Sequence, residues 1–125
     1  MPLDNYSFHQ SFDKDFLLDI CDNDHEYLLE VFNSFLEMSR NEAAELKSLI
    51  ALEDRHKLTK KVHSISSAFG FIGQTDLCYE LKSIEKRVHE NSCDLITELP
   101  PVILKIEQTI AIVRAEQEKL LAWDS

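Results

Sequence analysis

Apolar residues recur along most of this chain at intervals of three and four positions, the spacing of one face of an α-helix. The clearest stripe follows spacings of 4, 3, 4 and 3 and consists of Leu58, Val62, Ile65, Phe69 and Ile72. This stripe predicts a helix that ends at about Phe71 and turns one side toward a core. Similar stripes before and after it predict that most of the chain folds as helices.

The N-terminal half contains two residues that favour the start of a helix. Ser11 is predicted to cap a short helix, since its side chain can accept a hydrogen bond from the first turn. Asn23, with Glu26 three positions later, resembles a capping box. We expect Asn23 to open one long helix that runs to about residue 51, with a weakly apolar middle between Ser39 and Ala44.

The C-terminal half contains similar signals. Gly73 is expected to end the helix of the clearest stripe, and Thr75 or Asp76 to cap the next helix. Pro100 and Pro101 suit the first turn of a last helix, because the N–H groups that they lack have no intrahelical partner there.

These elements predict an all-α fold, an up-down-up-down antiparallel four-helix bundle with a short additional N-terminal helix. Residues 1–10 are expected to form an irregular arm, and residues 11–125 to form the helical domain. The chain has 125 residues, of which two are Gly and three are Pro, so a turn-rich β fold is disfavoured.

The net charge of −10 at pH 7 narrows the range of partners. It disfavours nucleic acids and anionic membrane surfaces, because both are bound mainly through Lys and Arg. Cys21, Cys78 and Cys93 are an odd number of cysteines without CxxC spacing, which favours reduced thiols. No signal peptide or membrane-spanning run is recognisable, so we expect a cytoplasmic protein.

On the side of the predicted helix opposite the stripe from Leu58 to Ile72, His63 lies among small residues. Ser66 and Ser67 lie one turn on, Gly70 lies two turns on, and Lys60 lies one turn back. Because the apolar stripe packs inward, His63 is expected to face solvent. Histidine in water has a pKa of ~6.5, and its neutral imidazole is a good nucleophile near pH 7.

The segment from Leu58 to Glu85 resembles the histidine-containing phosphotransfer (HPt) domain of two-component phosphorelays. The positions that match the motif of that family are His63, Ile65, Ala68, Gly73, Leu77, Ile84 and Glu85. Upstream, the run Phe16-Leu17-Leu18 and the segment DHEYLLEVFNSFL resemble the first two helices of the family. The resemblance therefore covers most of the chain.

The resemblance implies a phosphoryl carrier without kinase activity of its own. His63 would accept the phosphoryl group from a receiver-domain aspartate and pass it to another receiver. Glu85 would accept the N–H of the second imidazole nitrogen and fix the tautomer. The implied partners are response-regulator receiver domains and a hybrid histidine kinase. The carrier would need no cofactor, since the receiver brings magnesium, and access for a partner favours a monomer.

Two positions depart from the family motif, since Ser66 replaces a lysine and Ser67 replaces a glycine. The lysine would place positive charge beside the phosphoryl group, and we expect Lys60 to stand in for it. The hydroxyls of Ser66 and Ser67 are expected to donate hydrogen bonds to phosphoryl oxygens. The family places receiver contacts around the histidine and on the first helix, which here implicates Ser64, Gly70, Phe12 and Phe16.

Other interpretations of the same residues are open. The substitutions at Ser66 and Ser67 also suit a phosphorylation-silent adaptor that binds and regulates a receiver or a histidine kinase. A metal-binding bundle would use Glu-x-x-His pairs from facing helices, but Glu53 and His56 form the single such pair in the sequence, so we expect no metal site. An independent enzyme is disfavoured, because the sequence contains no glycine-rich phosphate loop or nucleophile elbow.

Overall fold

The computed structural model describes residues 2–123, and all regular structure within that range is α-helical, which confirms the predicted all-α class. The helices in chain order are α1 (Lys14–Ile20), α2 (His25–Met38), α3 (Glu42–Ala51), α4 (Arg55–Phe71), α5 (Thr75–His89) and α6 (Leu95–Ala122). Met1, the first residue of the predicted arm, lies outside the described residues. Residues 124–125, the last two of the predicted domain, also lie outside them. Between residues 2 and 123, no helix is both long and apolar enough to cross a membrane.

The apolar stripes of α2 to α6 meet in one core. Helix α4 packs against α3 and α5, and α6 packs against α2, α3 and α5. The predicted stripe of α4 is buried along its whole length, from Leu58 to Ile72. The rings of Phe35 and Phe69, with centroids 5.1 Å apart, join α2 to α4. Each such side chain stabilises the fold by ~1.5–3 kcal/mol through its removal from water.

The predicted long second helix is wrong, because α2 ends at Met38 and α3 begins at Glu42. Ser39 is buried, and its hydroxyl donates to the carbonyl of Leu36 at 3.4 Å. The run of Ser, Arg and Asn at residues 39–41 offers no apolar side chain that would hold a continuous helix on the core. Serine and asparagine also favour local hydrogen bonds over helix propagation, so the chain breaks where the stripe is weakest.

Aspartates cap the first two helices, where the sequence predicted Ser11 and Asn23. Asp13 accepts the N–H of Phe16 at 3.1 Å, and Asp24 accepts the N–H of Glu26 at 3.0 Å. Asn23 instead adopts a positive φ of 54° and accepts the N–H of Leu3 at 2.8 Å. Both predicted caps are therefore displaced by the next carboxylate, whose charge also suits the helix dipole.

The start of α6 also differs from the prediction, since Pro100 and Pro101 lie inside the helix and not in its first turn. Asp94 caps α6 by accepting the N–H groups of Ile96 and Thr97 at 3.1 and 3.4 Å. Glu98 accepts the N–H of Asp94 at 2.7 Å. That bond, and then the bond from Arg87, lower the pKa of the Glu98 carboxyl.

Two further predictions concern the connection from α4 to α5. Gly73 follows the end of α4 with a φ of 78°, in the left-handed region that favours glycine. The predicted cap at Thr75 or Asp76 is wrong, because Gln74 holds the N-cap position and its side chain donates to Ser11 at 2.9 Å. The turn therefore ties the α4–α5 hairpin to the segment before α1.

Residues 2–10 contain no helix, and this N-terminal arm packs against α6. Leu3 and Tyr6 are almost fully buried. The hydroxyl of Tyr6 donates to the Glu116 carboxylate at 2.7 Å, and the N–H of His9 donates to the same carboxylate at 3.2 Å. Burial, and then the hydrogen bond and negative charge of Glu116, raise the pKa of Tyr6 well above its ordinary value.

Candidate functional site

His63 lies at the middle of α4, on the side away from the core. Its side chain is 63% exposed, as the sequence predicted. The buried residues Val62 and Ile65 on either side of it fix which face of the helix points outward. A long helix held on one face by the core is a rigid support, so the imidazole is presented to solvent in a defined direction.

Glu85 of α5 contacts His63, and this is the one predicted pairing of site residues that the structure brings together. Nδ1 of the imidazole lies 3.1 Å from both carboxylate oxygens. A carboxylate can only accept, so Nδ1 carries the hydrogen and donates. Nε2 makes no hydrogen bond within the described residues, and in the neutral ring it is then the nitrogen without a hydrogen. This arrangement supplies a nucleophile whose tautomer is set by a neighbouring carboxylate.

The predicted donor role of Ser66 is wrong. Its side chain is completely buried, and its hydroxyl donates to the carbonyl of His63 at 2.8 Å. Residue 66 is rotated by about 60° from His63 around the helix axis, toward the buried Val62, and this rotation is enough to bury its side chain. Ser67 is exposed one turn beyond His63 and stays available for the predicted hydrogen bond.

The lysines of α4 differ in their contacts. Lys60 is exposed one turn before His63, and none of the ion pairs among residues 2–123 involves it. Lys61 points to α3 instead, where it contacts Glu45 and reaches Glu42 at 3.4 Å. The hydrogen bond to Glu45 is the main cause that raises the pKa of Lys61. Only Lys60 therefore shares the face of His63 as an unpaired charge on that turn.

The residues predicted to contact a partner do not form one surface. Phe12 is buried, with its ring 5.7 Å from that of Phe32, so it belongs to the core. Phe16 is exposed, but α1 adjoins the far end of α4, where the N–H of Asp13 donates to Gly73 at 2.8 Å. That end lies ~15 Å along the helix from His63. The structure therefore does not bring Phe12 or Phe16 to the histidine.

Gly70 serves the contact between two helices and not access for a partner. A Cβ atom at this position would lie 3.0 Å from the sulfur of Cys78 on α5. The missing side chain lets α4 and α5 approach closely two turns beyond His63. The Gly70 prediction is thus corrected, since its small size is used inside the α4–α5 pair.

An apolar groove beside His63 was not predicted from the sequence. It runs between α2 and α4, and its walls include Phe35, Met38, Ser64, Ser67, Ala68 and Phe71. Met38 is 67% exposed and Phe71 is 55% exposed. A signal was present in the sequence, because Phe71 falls outside the apolar stripe of α4. The predicted contact residue Ser64 lies in this groove.

The remaining sequence hypotheses concern metals and thiols. Within residues 2–123, no group of three or more His, Cys, Asp or Glu side chains is arranged to hold a metal ion. The three cysteines are free and buried. Burial raises the pKa of the Cys21 and Cys93 thiols, which keeps them protonated near neutral pH.

Comparison of the chain with protein-family models, with curated proteins and with solved structures gives no match.

Proposed function

We propose that this protein is a phosphorelay intermediate that accepts a phosphoryl group on His63 from a receiver-domain aspartate and passes it to another receiver. The observation that carries the proposal is the His63–Glu85 pair. Nδ1 is hydrogen-bonded to the Glu85 carboxylate at 3.1 Å, and Nε2 is open to solvent. An exposed imidazole with one nitrogen held and the other free is what in-line phosphoryl transfer requires of an acceptor.

The transfer step is a displacement at phosphorus. The lone pair of Nε2 attacks the aspartyl phosphate, a P–N bond forms, and the P–O bond breaks so that the aspartate carboxylate leaves with its electron pair. Nδ1 keeps its hydrogen throughout, and the Glu85 carboxylate offsets the positive charge that the ring gains. Magnesium, held by the receiver, would neutralise the phosphoryl oxygens. Ser67 would donate to one of those oxygens.

The proposal includes the bundle architecture expected for such a carrier. Helices α4, α5 and α6, together with α2 and α3 as one interrupted element, would form the up-down-up-down bundle, and α1 would be the additional short helix. The packing of α4 against α5 and of α2 against α6 supports this arrangement. A partner would then dock beside His63 over the groove between α2 and α4, where Met38 and Phe71 are exposed.

The test is phosphoryl transfer from receiver domains. The purified protein is incubated with magnesium and a panel of receivers that carry a radiolabelled phosphoryl group, in parallel with His63→Gln. His56→Gln and His89→Gln are matched controls, because both histidines are exposed at the ends of α4 and α5. We expect label on the wild type and on both controls, labile in acid and stable in base, and none on His63→Gln.

A second candidate is favoured by the burial of Ser66, which removes one expected donor from the site. A phosphorylation-silent adaptor would bind a receiver or a histidine kinase without accepting the group. The same experiment distinguishes the two functions, because the adaptor would bind receivers of the panel and stay unlabelled.

A further inference from the structure

We infer that Lys82 of α5 is a catalytic residue of this site, and that its ammonium binds the phosphoryl group on Nε2 of His63. This inference rests on the proposed function and adds a residue that the sequence did not single out. The need for it follows from the charges. Glu85 already places a carboxylate against His63, and an incoming phosphoryl group adds further negative charge beside it.

The first observation is the pairing of α4 with α5. Two contacts define this pairing, His63 with Glu85 and Gly70 with Cys78. From the first contact to the second, the residue number rises on α4 and falls on α5. The helices are therefore antiparallel, and position 82 lies opposite positions 66 and 67. Lys82 is on the next turn of α5 from Glu85, on the same side of the helix.

The second observation is the close approach of these two helices. At Gly70 a Cβ atom would lie 3.0 Å from Cys78 Sγ, so the backbones are near each other one turn from position 82. On α4 the residue facing this region is Ser66, which is small and buried, whereas Ser67 lies on the other side of His63, in the groove toward α2. The position of α4 opposite Lys82 therefore carries a small side chain.

The third observation is that the Lys82 ammonium has no carboxylate partner within residues 2–123. It lies 5.9 Å from the ring centroid of the exposed Tyr79, a weak contact that a phosphoryl group would displace. Within residues 2–123, the side chains of four lysines make neither an ion pair nor a hydrogen bond, and all four lie on the two helices that carry His63 and Glu85: Lys57, Lys60, Lys82 and Lys86.

These observations assign different places to the two charges nearest His63. Lys60 approaches from the turn of α4 that precedes His63, and Lys82 approaches from α5, on the side of Ser66. The second place is where a lysine on α4 would have been expected, but the buried residue 66 cannot supply it. Lys82 of the neighbouring helix therefore supplies the positive charge that residue 66 does not.

The test uses phosphoramidate, a small donor that needs no receiver. In this reaction Nε2 bonds to phosphorus, the P–N bond of the donor breaks, and ammonia leaves with the electron pair. Phosphohistidine formation is followed by ³¹P NMR on the full chain. We expect Lys82→Gln to slow formation about tenfold, the effect of one lost charge-assisted hydrogen bond, and Lys82→Arg to restore most of the rate.

Two further variants separate a local charge from a change in net charge or folding. Lys105→Gln removes the same charge from a lysine paired with Glu80 on the far side of α5, and it should react at the wild-type rate. Ser67→Lys, added to Lys82→Gln, returns a charge to α4 and should recover the rate in part.

The outcomes keep the two proposals distinguishable. Phosphohistidine that forms equally fast in the wild type and Lys82→Gln overturns the role of Lys82 and leaves His63 as the acceptor. A wild type that accepts the group neither from phosphoramidate nor from any receiver removes the proposed function, and the role of Lys82 with it.

Discussion

At the scale of single residues, the decisive feature is that His63 meets one hydrogen-bonding partner and leaves its other nitrogen free. Both oxygens of the Glu85 carboxylate lie 3.1 Å from Nδ1, and the side chain of Glu85 is only a quarter exposed. Partial burial strengthens such a charge-assisted bond relative to one in water. The pair thus prepares the imidazole before any partner arrives.

The hydrogen bond between His63 and Glu85 predicts the tautomer of the imidazole. In ¹⁵N NMR spectra of the neutral ring, the wild type should carry its hydrogen on Nδ1, and Glu85→Leu should shift the hydrogen toward Nε2. Glu85→Leu should also accept phosphoryl groups about tenfold more slowly, since a charge-assisted hydrogen bond is lost. Glu85→Gln is the matched control, because its amide oxygen still accepts from Nδ1. An unchanged tautomer in Glu85→Leu would contradict the orienting role.

At the scale of elements, the α4–α5 hairpin positions the site, and the turn between these helices anchors it to α1. Gly73 has a φ of 78°, and its carbonyl accepts the N–H of Asp13 at 2.8 Å. A Cβ atom at residue 73 would lie 2.9 Å from Cγ of the buried Leu17. Backbone strain and a steric clash therefore coincide at one position.

Gly73→Ala is expected to destabilise the protein by about 2–3 kcal/mol, since an L-residue is strained at this φ and Leu17 must move. Denaturant unfolding followed by circular dichroism measures the change. Ser83→Ala, an exposed position of α5, serves as the control and should change the free energy of unfolding by less than about 0.5 kcal/mol. A Gly73→Ala variant as stable as the wild type would show that the turn tolerates a side chain.

The hydrophobic pattern predicted the helices well where their stripes are continuous. The stripe from Leu58 to Ile72 predicted both the end of α4 and the outward direction of His63, because a 3.6-residue period links the buried side to the exposed side. The pairing of His63 with Glu85 was predicted through the family resemblance, since spacing along one chain does not specify which helices become neighbours.

The boundaries that the sequence missed were set by competition between nearby residues. Pro100 suggested a helix start, but the Asp94 and Glu98 side chains satisfy the backbone N–H groups of an earlier turn. Ser66 and Ser67 were treated alike although one is buried and the other exposed, because a difference of one position rotates a side chain by ~100°. The sequence predicts that Gly70 is open to a partner, and only the position of α5 shows that it faces Cys78.

At the scale of the whole molecule, the N-terminal arm is fastened to α6 through a buried carboxylate. Glu116 is 3% exposed and accepts from Tyr6 at 2.7 Å and from the His9 backbone at 3.2 Å. The buried His25 of α2 also contacts α6, because its Nε2 donates to the carbonyl of Leu120 at 2.6 Å. A buried carboxylate needs such donors, because an unpaired charge in the interior is strongly destabilising.

Tyr6→Phe should lower the free energy of unfolding by about 2 kcal/mol near pH 7, because Glu116 loses a buried donor. The Tyr6 contribution depends on pH. Since folding raises the pKa of Tyr6, its stabilisation is fully present below the unfolded-state pKa of about 10 and declines as the pH rises above it.

Denaturant unfolding of the wild type and Tyr6→Phe between pH 7 and about pH 11 measures this dependence. The two free energies should differ at neutral pH and converge at alkaline pH. The raised pKa values of Cys21 and Cys93 affect both proteins and cancel in the difference. A difference in free energy that stays constant across this pH range would contradict a raised pKa of Tyr6 in the folded protein.

The distribution of charge also belongs to the whole molecule. The chain carries a net charge of −10, yet the four lysines whose side chains lack an ion pair within residues 2–123 all lie on α4 and α5, the helices that carry His63 and Glu85. Lysines without carboxylate partners attract an acidic partner site. This distribution agrees with a carrier that meets an aspartyl phosphate.

The most direct test of this account is to locate the phosphoryl group on the chain after incubation with phosphorylated receivers. Heteronuclear ³¹P and ¹⁵N NMR of the labelled protein identifies both the histidine and the ring nitrogen that carries phosphorus. We expect a single P–N bond, at Nε2 of His63, because Nδ1 is hydrogen-bonded to Glu85. Phosphorus on Nδ1, on His56 or His89, or on no histidine after exposure to every receiver of the panel would contradict it.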